Sequence, residues 1–202
     1  CTRVNVPIIS VKHPTYIPPL KWSPSKFLSS HPKQIVQIGY WLRNLTSIFD
    51  LRSPSQFYKA WLPSNKNQAM WIYKKYKEII SQPHDHLFKD NSVKVSKKLS
   101  DKKYDELMSS AIIFLDLHDS SANNAVIECI ARNTPILINK IDAVTEYLGS
   151  DYPLYFENLD HAAHLLSNTN NMIKAHTYLK DMNKQWLSGT YFAMSLQKKL
   201  SE

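Results

Sequence analysis

The stretch from residue 111 to 139 reads A-I-I-F-L-D-L (111–117), H-D-S-S-A-N (118–123), N-A-V-I-E-C-I-A-R (124–132), N-T-P (133–135) and I-L-I-N (136–139). Two short apolar runs flank a polar loop and a nine-residue run with helical character, so the pattern is strand, loop, helix, strand. Asn133 suits the left-handed residue that closes a helix, and Pro135 cannot continue one. A crossover of this kind makes its two flanking strands parallel.

Working outward, Q-I-V-Q-I-G-Y (34–40) is a β-branched run ending in a glycine, the pattern of a buried core strand opening into a loop. Upstream of it stand six prolines, Pro7, Pro14, Pro18, Pro19, Pro24 and Pro32, enough to forbid a long helix. Residues 1–33 are therefore read as an extended lead-in or interdomain linker, and 34–202 as one Rossmann-like domain. The spacing of apolar residues predicts an amphipathic helix over 67–81, with Lys74, Lys75 and Lys77 on its polar side. It also predicts a strand within 92–99, helices over 101–110, 143–148 and 159–166, a short strand at 154–156, and a helical stretch over 172–199 that breaks near Gly189. The fold class is α/β: a parallel sheet flanked by helices, with an extended lead-in and a C-terminal helix.

Composition narrows the classes of function. The 202 residues are 43% hydrophobic and 21% charged, ordinary globular values, and hold no run of about 18 apolar residues that would span a bilayer. Two cysteines, Cys1 and Cys129, exclude a disulfide scaffold and a cysteine-ligated zinc site. The only glycines are Gly39, Gly149 and Gly189, so neither the G-x-G-x-x-G fingerprint nor a Walker A loop is present. The start at Cys1, without an initiator Met or a signal segment, predicts a piece of a longer polypeptide residing in the cytoplasm. The formal charge of +8 is unevenly placed, with residues 1–103 at +13 and residues 104–202 at −5, and a basic half suggests an anionic partner.

In an open parallel sheet, ligands bind beyond the carboxyl ends of the strands, where helix N-termini favour anions. Two such places are legible, the loop 39–43 and the loop 118–124. In the helix after the second loop, Asn124, Glu128 and Arg132 form a narrow polar stripe on an otherwise apolar rod. Glu128 has two readings: an i, i+4 ion pair with Arg132, or an acceptor of hydrogen bonds from ligand hydroxyls such as a ribose diol.

The run H-D-S-S-A-N-N-A-V-I-E-C-I-A-R-N-T-P-I-L-I-N, followed by D-A-V-T-E-Y-L-G, resembles the donor-binding half of GT-B glycosyltransferases, whose pattern is roughly N-x-x-x-E-A-x-A-x-G-T-P-V. Asn124, Glu128, Ala131 and Thr134-Pro135 match that pattern, and Asn133 stands where the family has Gly. The resemblance implies that the backbone of Ser120, Ser121, Ala122 and Asn123, with Asn124 at the helix start, holds a diphosphate while Glu128 holds the nucleotide ribose. It implies Gly39 and Arg43 as further donor contacts and places Glu146 in the short helix that follows. Residues 11–18 resemble the linker between the two halves of such enzymes. Where the family often has an acidic residue near the sugar, this chain has Ser120 with Asp119 beside it. The family's cations after the first strand are represented by Arg43, with Lys59 and Lys66 as weaker candidates for a second. Asp119 and Arg43 are the candidate catalytic residues.

The resemblance implies no metal and no cofactor, the nucleotide sugar being a substrate. Partners are then the donor, a glycan or other acceptor, and an upstream acceptor-binding half, since the chain has room for one Rossmann-like domain. His84-Asp85-His86 and the pair His161 and His164 lack a third ligand placed by sequence. The six lysines within 89–103 are read as a solvated face, and Trp41, Trp61 and Trp71 as core rather than as a stacking platform for single strands. Asn44-Leu45-Thr46 is a glycosylation sequon expected to be unused, and Cys129 is read as packing. Asp119 or Ser121 could cap the following helix. The leading function is sugar transfer from a nucleoside-diphosphate sugar. The alternative is a binding or interaction module that keeps the fold without transfer, while a nucleic-acid binder would rest on charge and aromatics alone.

Overall fold

A computed structural model describes residues 9–63, 92–96, 98–119 and 123–201, together with residues 65, 67 and 71. Six parallel strands form one sheet: β1 (Lys33–Ile38), β2 (Phe57–Leu62), β3 (Val93–Val95), β4 (Ile112–Leu115), β5 (Ile136–Asn139) and β6 (Tyr155–Phe156), in the order β3-β2-β1-β4-β5-β6. β4 is buried at every position and β5 at all but its last, the signature of strands covered on both faces, which is why they read as unbroken apolar runs. The chain leaves β1 outward through β2 and β3, then returns to lay β4 on the other side of β1. The strand order therefore reverses between β1 and β4, and the loops that follow these two strands open a crevice there.

The helices are α1 (Pro24–Ser29), α2 (Ser47–Asp50), α3 (Asp101–Met108), α4 (Asn124–Arg132), α5 (Asp142–Leu148), α6 (Leu159–Ser167), α7 (Thr169–Asp181) and α8 (Gly189–Leu200). The crossover β4–α4–β5 follows the sequence reading closely because its boundaries are set by local chemistry. Asn123 caps the start of α4, its Oδ1 accepting from the amides of Ala125 at 3.1 Å and Val126 at 3.4 Å. Asn133 closes the helix with φ of 58° and ψ of 28°. The cap thus falls to Asn123, not to Asp119 or Ser121, because only Asn123 stands directly before the first turn. Gly149, with φ of 79°, closes α5 as expected.

Several elements depart from the sequence reading. β2, F-Y-K-A-W-L, escapes the pattern because Lys59 interrupts its apolar run; the Lys59 ammonium donates to the carbonyls of Phe49 at 2.9 Å and Leu51 at 3.1 Å. In the proline-rich segment, Pro24 opens the short α1, the one position where its missing N–H costs nothing. Trp22 and Phe27 are fully packed in the main core, and the Trp22 indole donates to Ala111 O at 3.0 Å. The C-terminal helical stretch breaks over 182–188, with a 3-10 turn at Gln185–Leu187, and Gly189 begins the next helix. Apart from Asn67 and Trp71, the helix read over 67–81 lies outside the described residues. So do Lys66, the His84–His86 group and the loop residues Ser120, Ser121 and Ala122. Among the described residues no helix is long and apolar enough to cross a membrane.

Candidate functional site

At the reversal between β1 and β4 a cleft of about 270 Å³ is lined by Ile38, Gly39, Tyr40, Trp41, Arg43, Tyr104, Asn124, Ala125 and Glu128. Its floor is the end of β1. Gly39 sits there with φ of 76°, a conformation that favours glycine, and a Cβ at this position would approach Cζ of Arg43 to 3.2 Å. Glycine thus gives the loop its turn and gives the guanidinium its space.

The loop bearing Arg43 is fastened to the segment after β4 as a short antiparallel ladder. Asn44 N donates to Asp116 O at 2.8 Å, His118 N donates to Leu42 O at 3.0 Å, and Arg43 bridges Leu117 between them. The Asn139 side chain pins the rail from behind, accepting from Leu117 N and donating to Leu117 O, both at 2.8 Å. Asn44 Nδ2 adds a bond to Asp116 Oδ2 at 3.1 Å, so the sequon amide is engaged inside the fold. Leu42 takes φ of 55° in this ladder, a left-handed conformation that costs a non-glycine residue about 1 to 2 kcal/mol and is tolerated only where neighbours fix it.

Arg43 is half-buried beside the N-terminus of α4. Its Nη1 donates to Trp41 O at 2.6 Å and its Nη2 to Asn123 Oδ1 at 3.3 Å, while its buried Nε has no partner. Burial pulls its pKa down to about 10, so it is charged at neutral pH. A cation at the positive end of a helix is a local electrostatic cost that an anion placed in the cleft would reduce.

Glu128 lies one turn further along α4 and accepts a short hydrogen bond from the Tyr104 hydroxyl. The i, i+4 pair with Arg132 does not form. Arg132 turns instead to Asp105, placing Nε at 3.0 Å and Nη2 at 2.8 Å from the same carboxylate oxygen, because α3 offers a carboxylate in better geometry than the next turn of its own helix. Its guanidinium also lies 5.6 Å over the Tyr104 ring.

The fold therefore brings Gly39, Arg43, Asn124 and Glu128 into one cleft, with Asn123 joined to it through Arg43. Asp119 is exposed and does not line the cleft, and Glu146 is exposed on α5. Lys59 is turned to the end of α2, away from any role in the cleft, because it caps carbonyls there. Trp61 is core as expected, but Trp41 is 66% and Trp71 60% exposed. Trp41 cannot turn inward because the strand has ended and the loop carries it to the cleft's rim. Lys94, Lys98, Lys102 and Lys103 face solvent, and Cys129 is fully buried. Sequence reasoning missed Tyr104; its only local mark was an aromatic residue in the charged run D-K-K-Y-D-E.

No protein-family model and no curated protein matches the chain. Solved structures do. HepE from Anabaena in complex with UDP and glucose matches with a TM-score of 0.64 at 14% identity, covering 91% of this chain and 54% of that one. WaaG, a glycosyltransferase involved in lipopolysaccharide biosynthesis, matches with a TM-score of 0.63 at 14% identity over 93% of this chain and 54% of that one. The C-terminal domain of a group 1 glycosyltransferase, LpcC from Francisella tularensis, matches with a TM-score of 0.58 at 10% identity over 80% of this chain and 92% of that domain. The chain thus spans about half the length of HepE and WaaG, and in fold it matches the carboxyl-terminal half of GT-B group 1 glycosyltransferases.

Proposed function

We propose that residues 34–202 bind the donor of a GT-B glycosyltransferase that moves a sugar from a nucleoside diphosphate to a glycan or other acceptor. Residues 1–33 lead in from an acceptor-binding half. The observation that carries the reading is the meeting, in one cleft, of the half-buried Arg43 guanidinium, the start of α4 and the Glu128 carboxylate. In transfer, the bond from the anomeric carbon to the diphosphate breaks and its electron pair goes to a phosphate oxygen. Arg43 and the positive end of the α4 dipole take up that developing charge, the largest in the transition state. Glu128 accepts from the ribose and fixes the nucleoside. Asp119, at the exposed end of the loop, has no assigned step. The comparisons support the reading through the fold and through the UDP held by HepE.

The test is calorimetric binding of UDP, GDP, ADP and TDP and their sugars to the wild type and to Glu128→Ala. One diphosphate is expected to bind selectively and to lose about 1 to 3 kcal/mol in the variant, the worth of a hydrogen bond to a charged group. Absence of binding by every nucleotide to folded wild type overturns the reading and favours a module that keeps the fold without the donor.

A further inference from the structure

We propose that Tyr104 is a specificity residue of the cleft, which it turns toward ribonucleotides and against their 2′-deoxy counterparts by sharing the reading of the diol with Glu128. The proposal rests on the donor-site reading and goes beyond it in assigning a residue of α3 to the ligand.

A glutamate acting alone presents two equivalent oxygens, and both can reach the two hydroxyls of one vicinal diol. Here the two oxygens are not equivalent. Oε2 is engaged by the Tyr104 hydroxyl, so Oε1 is the oxygen left without a protein donor. The phenol has only one proton, and that proton is committed to Glu128; its oxygen keeps its acceptor lone pairs, and both residues line the cleft. A diol entering the cleft therefore meets two acceptors on two residues, Glu128 Oε1 and Tyr104 Oη, one for each hydroxyl.

The phenol is braced so that this arrangement persists. The Arg132 guanidinium lies over its ring, and Arg132 in turn is held by Asp105, the neighbour of Tyr104 on α3. Burial first, and the Glu128 carboxylate second, push the phenol well above its ordinary range, so it stays a donor to Glu128 at every working pH. A ligand lacking one hydroxyl leaves one of two half-buried acceptors unpaired. A site built to hydrogen-bond a hydroxyl rejects the analogue without it more strongly than an apolar site rejects an added one. With the phenol removed, Glu128 is free to turn both oxygens to whichever hydroxyl remains, and the distinction relaxes.

The experiment is binding of the best ribonucleoside diphosphate and of its 2′-deoxy and 3′-deoxy forms to the wild-type chain and to Tyr104→Phe, with the fold of each checked by thermal melting. Wild type is expected to prefer the ribonucleotide by about tenfold or more, and Tyr104→Phe to lose most of that preference while binding the poorer deoxy form as before. Equal binding of ribo and deoxy forms by the wild type overturns the proposal without any variant. An unchanged ratio in Tyr104→Phe, with all affinities lowered alike, overturns it too and assigns the residue a structural role. Failure of every nucleotide to bind folded wild type overturns the donor-site reading itself, an outcome distinct from binding without discrimination.

Discussion

The two ends of α4 each carry an arginine, and the two are finished to different degrees. At the carboxyl end, Arg132 meets Asp105, Lys21 Nζ donates to Ala131 O at 2.8 Å, and Trp22 N donates to Arg132 O at 2.9 Å. Asn133 O lies 2.9 Å from His176 Nδ1, and Thr134 N donates to Cys129 O at 2.9 Å. Cations here complement the helix dipole and the carbonyls are satisfied. At the amino end, Arg43 opposes the dipole and leaves Nε without an acceptor. Asn133 Oδ1 at the carboxyl end is also buried without a partner, but it belongs to a neutral amide, whereas the unpaired group at the amino end belongs to a charged guanidinium. Identical side chains at opposite poles of one helix thus differ in how far the chain itself pairs them.

The largest effect is expected from breaking the finished end. Arg132→Ala strands Asp105 and removes packing over Tyr104, and should lower unfolding free energy by about 2 to 3 kcal/mol in denaturant titration, below the full cost of a deeply buried pair because Asp105 is 29% exposed. At the other end, Arg43→Ala should change stability by less than about 1 kcal/mol yet weaken nucleotide diphosphate binding by about 1.5 to 3 kcal/mol. A drop in stability as large as that of Arg132→Ala would erase the contrast. The wild type sharpens the same point through pH. An anion binds the charged guanidinium, so affinity should hold at neutral pH and fall as the pH rises through about 10, a fall that Arg43→Ala should lack. The smallest effect is that of Asn123→Ala, which removes the α4 cap and should cost about 1 kcal/mol of stability in thermal melts.

What the sequence disclosed follows from the range over which each feature is determined. The α4 crossover was legible because Asn133, Pro135 and the apolar runs act on their own neighbours. A cleft at the ends of β1 and β4 was legible because a parallel sheet puts its crevice at strand ends whatever the side chains are. β2 was not, since Lys59 reads as polar until α2 is in place to receive it. The partners of Arg132 and Glu128 lie 27 and 24 positions away on α3, where helical spacing rules have no reach, and the nearer rule pointed to a pair that tertiary geometry displaced. Tyr104 stayed hidden for the same reason. Trp41 was misplaced because an aromatic residue directly after a core strand looks like core until the loop's direction is known.

The ladder that holds the Arg43 loop joins Asn44 to Asp116 across 72 positions of sequence. A nascent chain that has emerged only as far as β3 already has β1 and its glycine turn, yet it lacks the second rail, and closing so long a loop is entropically costly without it. Arg43 gains its fixed position only when β4 docks, and α4, which brings Asn123 and Glu128, is the very next element to be synthesised. A piece of this chain that ends before β4 therefore lacks the second rail, Asn123 and Glu128, and with them one wall of the cleft.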